Sequence, residues 1–422
     1  MANAFSKEVV VAFEEMLAGF NDQLVLSSMV KKYSIPDQRS ERSNDTIWRP
    51  QPYIMQSYSG LSQSGNRNDV AQLSVPASVD TIRSVNFDLD AKELRDMLQE
   101  NRLFDSAKQK LASDINLSVT DVISNLGSVI VTRSNAAGSY DDIAQVDAVL
   151  NEQGVDMDMR YQALSSRTYN GMAGNLAERQ TMTGFPSEAY RKSYVGEVAG
   201  IETHKMDYAN QISAATATGV TINGANQYYT PVATESTTYA GQVPVDNRYQ
   251  DINVTVTGGT IQVGDCFTIA GVNAVHHITK RDTGQLKTFR VVAIVSGGGG
   301  TGTIRISAPI ISNGGGTDAE AQYQNVTATP ANGAAITFLN TQAAPINPFW
   351  LRDSVELLPA RLAMPTDAGA KVLRATTDQG VEVVLTEKFD SEDGVSYFNV
   401  RVFYGVVNLQ PQMNGILLFD QT

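Results

Sequence analysis

The feature that most constrains the fold is a break in composition halfway along the chain. From Ala217 to Ala343, 127 residues hold six Lys/Arg and seven Asp/Glu, while the other 295 residues hold 64 charged side chains. The same stretch holds 17 of the chain's 33 glycines. Charge density therefore halves as glycine density doubles. Such a segment reads as an independently folded β insertion within a different host. Its local patterns agree. Ile252, Val254 and Val256 alternate with polar residues, and Gly258-Gly259 supplies a turn. Phe289 to Val295 and Thr303 to Ile306 flank a run of glycines. Short strands with glycine turns predict a small barrel or sandwich.

The flanks read as mixed α and β. Val9, Phe13, Met16 and Phe20 form one helical stripe, with Glu8, Glu14 and Glu15 on the other face. Lys31 to Tyr58 is polar and broken by proline, which predicts an extended arm and loop. Val75, Ala77 and Val79, then Val85, Phe87 and Leu89, alternate as strands. Asp90-Ala91-Lys92-Glu93 has capping-box spacing, so a long helix should follow. Its expected stripe is Leu111, Ile115, Val119, Val122 and Leu126, with Gly127 as the stop. Ile143, Val146 and Leu150 predict a second helix ended by Gly154, and Met157, Met159, Tyr161 and Ala163 a strand. Val381 to Thr386 and Tyr397 to Val407 read as strands joined through an Asp393-Gly394 turn. At 422 residues, two or three folding units are expected.

Chemistry is sparse. Net charge is −13, which excludes a generic basic nucleic-acid binder. Gly297, Gly299 and Gly302 satisfy G-x-G-x-x-G, but strand-like Thr303 to Ile306 follows where a phosphate cradle needs a helix, so a hairpin loop is expected. His276-His277 is the only histidine pair, and strand neighbours point to opposite faces, away from any shared metal. Cys266 is the sole cysteine and lies among apolar residues, as a core filler does. Asp141-Asp142 stands at an expected helix start, where it complements the dipole. Val9 to Phe13 is too short, and followed too closely by Glu14 and Glu15, for a signal peptide or a membrane span. No enzyme, cofactor or metal is expected, and a soluble acidic protein is. Trp48 and Tyr53 are large apolar groups in a polar arm, which suggests that the arm docks on something, such as a neighbouring subunit.

Several short segments, in order, resemble the coat protein family of bacteriophage P22. They are Lys31-Lys32-Tyr33, Arg42 to Trp48 with Pro50, Phe87-x-Leu89, Leu94-Arg95-Asp96, Lys110-Leu111-Ala112 and Gly127-Ser128 with Thr132. Glu188 to Arg191, Val198-Ala199-Gly200, Thr216 to Gly219 and Val245-Asp246-Asn247-Arg248 continue the series. Gly264-Asp265, Ala270-Gly271-Val272, Phe289-x-Val291-Val292, Phe349-Trp350 and Tyr404-Gly405-Val406 complete it. None is a catalytic motif. Their shared order across nearly the whole chain carries the resemblance.

The resemblance implies an α+β, HK97-like capsid fold with an inserted all-β barrel domain. It implies an N-terminal arm and helix at 1–38, an extended loop at 39–75 and a peripheral domain with a long spine helix at 76–135. An axial domain at 136–216 would follow, then the barrel at 217–343, an axial return at 344–385 and peripheral C-terminal strands at 386–422. The implied function is that of a major capsid protein. It would assemble with itself as hexamers and pentamers into an icosahedral procapsid, of the T=7 kind in this family. Scaffolding protein and portal protein would be its partners, and the procapsid would mature as double-stranded DNA is packaged. The shell would enclose DNA without specific binding, assemble in the host bacterial cytoplasm and touch no membrane.

By the same resemblance Glu14 and Glu15 would meet scaffold, with Ala18 in place of a third acid. Trp48 and Tyr53 would serve the inter-subunit arm and loop. Glu235, Thr238, Tyr239 and Gln242 would serve an inter-capsomer loop ending at Pro244. That loop is acidic in the family, whereas here only Glu235 is charged, so hydrogen bonds and Tyr239 packing would have to replace salt bridges. The competing readings are another phage structural component, such as a tail or decoration protein, and a carbohydrate-active enzyme. The latter would need paired carboxylates about 5–10 Å apart.

Overall fold

Six strands between Thr221 and Phe338 close into a barrel. The structure, a computed structural model, describes residues 10–17, 25–33, 46–61, 64, 69–90, 102–136, 138–179, 195–238, 241–362, 371–377 and 380–422. Around the barrel the strands run Thr221–Ile222, Gln250–Val256, Gly300–Ser307, Asp282–Ser296, Cys266–Val275 and Ile336–Phe338. The first and last meet: Ile222 N–H donates to the Ala334 carbonyl and Ile336 N–H to the Val220 carbonyl, both at 2.9 Å. Gln250–Val256 alternates buried and more exposed positions, as a strand with one face inward must. Ile252, Val254, Phe267, Ile269, Phe289, Val291, Ile304 and Ile306 fill the interior. An interior of this size is packed solid with side chains, which explains the shortage of charge. The glycine run is the hairpin that joins Asp282–Ser296 to Gly300–Ser307, with Gly297 in the left-handed region at φ 53°. A Cβ on Gly302 would lie 2.0 Å from the Gly297 carbonyl, so the turn itself demands glycine.

A second six-stranded sheet has the order Val129–Thr132, Asn414–Leu418, Asn347–Leu351, Arg160–Ser165, Ile201–Met206, Gly196–Val198. Helices Tyr140–Gln153 and Ser166–Arg179 pack on it through Ile143, Val146, Leu150, Tyr169 and Met172. Asp142 fixes the start of the first helix. Its carboxylate accepts the Ser139 N–H at 3.0 Å and pairs with Arg133 at 2.9 Å. Gly154 ends that helix in the left-handed conformation at φ 79°. The strand expected to include Met157 and Met159 begins only at Arg160. The buried Arg160 guanidinium pairs with Asp147 and Asn151 and binds the Val155 and Asp156 carbonyls. Those bonds fold the chain sharply just before the strand, leaving Met157 and Met159 69% and 55% exposed.

A third sheet joins Lys31–Lys32, Val355–Pro359, Val395–Asn408, Glu382–Asp390 and Lys371–Thr376, with Thr81–Asp90 also paired to Val395–Asn408. The long helix Arg102–Leu126 buries Phe104, Ala107, Leu111, Ile115, Val119 and Ile123. Phe104 meets Phe87 edge-on at 5.5 Å, and Phe87 stacks on Phe398 at 5.3 Å. The expected stripe holds to Val119 and then steps by four to Ile123, leaving Val122 and Leu126 half-buried. The capping-box residues 91–93 lie outside the described residues.

Contacts divide the chain into two compact units. One comprises Met1–Ile47, Ala77–Thr120 and Val355–Val407, and the other Trp48–Pro76, Asp121–Ser354 and Asn408–Thr422. After the barrel, the chain changes unit after Ser354 and again after Val407. Strands 355–359 and 414–418 are both nearly all buried, and such strands carry no mark of which sheet will take them.

Candidate assembly surfaces

The amino-terminal helix at 10–17 has two faces. Ala12, Phe13 and Met16 are buried, while Val11, Glu14 and Glu15 are exposed. The spacing of apolar residues thus turns both carboxylates outward. Val9, Ala18 and Phe20 lie outside the described residues.

The extended loop begins at strand Ile47–Pro50, which pairs with Ser74–Ala77 in a two-stranded ribbon. Trp48 is half-buried there, while Tyr53 is 51% exposed. Met55, Tyr58 and Leu61 beyond it are exposed too, Leu61 completely. Pattern reading found Tyr53 but not these three, whose apolar character is visible in the sequence only once the loop is known to stand clear. The loop's base is tied: Gln51 N–H donates to the Leu73 carbonyl at 2.8 Å and its side-chain amide to the Leu409 carbonyl at 2.9 Å.

The third surface is a hairpin, Thr234–Thr237 against Gly241–Pro244. Glu235, Thr238 and Gln242 are exposed, and Thr234 Oγ1 donates to Gln242 Oε1 at 2.8 Å. Tyr239 lies outside the described residues. Its root is built by residues that pattern reading passed over as mere family markers, Asp246, Asn247 and Arg248. Asn247 Oδ1 accepts from Val232 N–H and from the Tyr229 hydroxyl, both at 3.0 Å. Asn247 Nδ2 donates to the carbonyls of Val232 at 2.9 Å and Val245 at 3.0 Å. Arg248 grips Asp246 through two bonds of 2.8 and 2.7 Å and reaches the Asn408 carbonyl at 2.7 Å. Burial works against its charge, but the Asp246 carboxylate outweighs this and holds the guanidinium above its ordinary pKa. A bridge between Ser74 and Asp246 brings the loop's base beside the hairpin's. Glu14 and Glu15 belong to one compact unit, and the loop and hairpin residues to the other.

Reactive groups are turned inward. Cys266 is wholly buried, and burial pushes its thiol up to about 11. Burial, with Lys280, Lys287 and His276 nearby, pulls His277 down to about 4. Among the described residues, no cluster of His, Cys, Asp and Glu could hold a metal ion, and no helix is long and apolar enough to cross a membrane. What these surfaces offer is contact.

Comparison with known proteins gives structural likenesses and a family. A capsid structure of Cyanophage P-SCSP1u is 11% identical, covering 93% of this chain and 86% of that one with a TM-score of 0.44. A Mycobacterium phage Che8 structure is 9% identical, covering 93% and 90% with a TM-score of 0.43. The CUS-3 coat protein I-domain is 42% identical, covering 30% of this chain and 99% of that one with a TM-score of 0.23. The model of the P22 coat protein family, gene protein 5, matches residues 1–420. With that match running almost end to end, the chain belongs to the P22 coat protein family: it is a phage capsid protein, a self-associating subunit of the virion shell and not an enzyme.

Proposed function

We propose that this chain is the major capsid subunit of a tailed double-stranded DNA phage, forming hexamers and pentamers of an icosahedral procapsid on an internal scaffolding protein. The observation that carries this reading beyond family membership is the apolar series Tyr53, Met55, Tyr58 and Leu61, exposed on an anchored loop. An exposed apolar series on a tied loop is a contact surface awaiting a neighbour. On this reading the sheet built on Thr81–Asp90 and the long helix form the peripheral domain. The sheet carrying Tyr140–Gln153 forms the axial domain, and the barrel is its insertion. Trp48 and Tyr53 serve the inter-subunit contact, and Glu235, Thr238, Tyr239 and Gln242 an inter-capsomer contact. A portal protein occupies one vertex, assembly takes place in the host cytoplasm, and the shell matures as DNA enters. A net charge of −13 suits a container that must not adhere to its DNA.

Glu14 and Glu15 recruit scaffold through a basic helix. Each exposed pair is worth only about 0.2–1 kcal/mol, but many copies acting together convert that into productive nucleation. The test mixes purified subunit and scaffolding protein and examines the products by electron microscopy. Wild type should give closed shells that hold scaffold, and 1 M salt, where the Debye length is about 3 Å, should release it. Glu14→Lys with Glu15→Lys should leave a folded subunit that yields aberrant or scaffold-free shells. Normal scaffold content in the double variant removes these two residues from the account, and monomers under all conditions remove the shell reading.

A further inference from the structure

One short helix of the insert makes a contact that none of the roles above uses. Asp318–Tyr323 touches the descending arm of the extended loop through three hydrogen bonds. Tyr323 Oη donates to the Ala71 carbonyl at 2.8 Å and Gln322 Nε2 to the Asp69 carbonyl at 2.7 Å. Asp69 N–H donates to Asp318 Oδ2 at 3.2 Å. Every one of these bonds is made to loop backbone, so the contact fixes the path of the chain whatever side chains the loop carries. Apolar packing closes it, with Leu73, Ile311 and Tyr323 buried together and Ile54, Ala71 and Tyr229 against them. A pocket of about 60 Å³ lies where the loop's base, Arg248 and Ile311 of the insert, and Gln410 to Met413 meet.

The helix is itself held rigidly. Glu320 is fully buried with no cation paired to it among the described residues, and its carboxylate accepts the Gly315 N–H at 2.7 Å and the Thr230 hydroxyl. Thr317 caps the helix by accepting Glu320 N–H at 3.2 Å. A Cβ on Gly315 would fall 2.5 Å from Glu320 Oε1, so a glycine there lets the backbone close on this side chain. Trp48–Pro76 accordingly clusters with the insert's unit, although the segments on either side of it, Met1–Ile47 and Ala77–Thr120, belong to the other.

We infer that helix Asp318–Tyr323 is the mount of the extended loop, fixing its base so that the apolar tip is presented to a second copy of this chain. The mount is read from the contacts alone, and its purpose rests on the loop being an inter-subunit surface. The experiment uses the full-length unassembled subunit with Asp318→Ala, Gln322→Ala and Tyr323→Phe combined. Amide hydrogen exchange is followed at residues 69–73 and, as the folding control, at barrel residues 252–256 and 289–292. Exchange at 69–73 should speed up about tenfold or more while the barrel amides keep their protection. Should the barrel loosen as well, Tyr323→Phe alone, which deletes one hydroxyl and keeps the ring, should still speed exchange at 69–73 by a few-fold. Unchanged exchange there in either folded variant overturns the mount. Assembly with scaffold is then scored separately. Slowed or aberrant shells support the presentation of the tip. Shells at the wild-type rate from a subunit with a loosened loop overturn that purpose while leaving the mount in place.

Discussion

Lys287 carries a charge into the insert with no carboxylate beside it among the described residues. It is 3% exposed and precedes by two and four residues Phe289 and Val291, which fill the barrel. Burial alone pulls its ammonium from 10.5 to about 8. A shift of that size corresponds to about 3 kcal/mol against the folded state at neutral pH. Because the folded-state value is depressed, the folded chain binds fewer protons than the unfolded one between pH 8 and 10.5, and stability from this group rises with pH across that window. Lys287→Met keeps the length of the side chain and removes the charge. It should raise the melting temperature at pH 7, and its advantage over wild type should shrink from pH 8 to 10.5. His277 marks the acid side. Its neutral form is favoured by burial and by the neighbouring cations, so stability present at pH 7 is lost as pH falls from 6.5 through about 4. Since Lys287 is one of those cations, Lys287→Met should also soften that acid loss. A pH series of thermal melts on both proteins reads both effects, and a variant with a constant offset from wild type at every pH contradicts the assignment.

At the scale of elements, local backbone chemistry was legible and choice of partner was not. Gly154 ends a helix, and Gly297 and Gly394 turn hairpins, because no other residue takes their left-handed conformations at so little cost. Gly127 ends its helix for a steric reason, since a Cβ there would lie 2.8 Å from the Ile123 carbonyl. The helix stripe was legible to Val119 for the same local reason, a fixed period. Periodicity then misled at Met157 and Met159, where tertiary bonds to Arg160 decide where the strand begins. Gly405 shows the other limit. A Cβ there would sit 2.3 Å from the Ser78 carbonyl, a contact 327 positions away that one sequence does not announce. The hairpin's root is of that second kind. Asn247, 6% exposed, satisfies Val232 N–H, Val232 C=O, Val245 C=O and the Tyr229 hydroxyl at once. Asn247→Ala leaves these groups without their partner, at about 1–3 kcal/mol for each buried one that water cannot reach. The expected result is a loss of about 2 kcal/mol in denaturant unfolding. Faster amide exchange should appear across residues 232–238 and 241–245, with the Gln250–Val256 strand still protected. Unchanged exchange in the hairpin means that Asp246 and Arg248 suffice to hold it.

At the scale of the molecule, the barrel's independence can be weighed from its two boundaries. Its inner boundary is complete, since the first and last strands are bonded and the cluster inside is drawn entirely from residues 217–338. Its outer boundary with the rest of the same unit includes the loop contact of Asp318–Tyr323 and the Arg248 bond to Asn408, and beside these a few bonds to the neighbouring sheet. Thr288 Oγ1 donates to the Ser128 carbonyl at 2.7 Å and accepts Ile130 N–H at 3.2 Å, and Ser307 Oγ donates to the Leu126 carbonyl at 2.9 Å. Cys266 packs with Ile130, Ile212, Ala344, Ile346, Ile416 and Leu418, all of them outside the insert. Arg290 is buried beside it, with Nε and Nη1 lacking hydrogen-bond partners among the described residues. Cutting the insert free would therefore bare a cysteine with a modest apolar patch and release the bonds to the loop and to Asn408. Neither change reaches the barrel interior, so residues 217–343 expressed alone should unfold cooperatively and give dispersed amide signals. The thiol supplies an internal check. Burial holds it near 11 in the full chain, so Cys266 should resist a thiol reagent at pH 8 there and react readily in the excised domain. A random-coil spectrum would mean that the barrel needs its host sheet to fold, and a folded fragment with an unreactive thiol would mean that Cys266 is shielded by the barrel itself and not by that sheet.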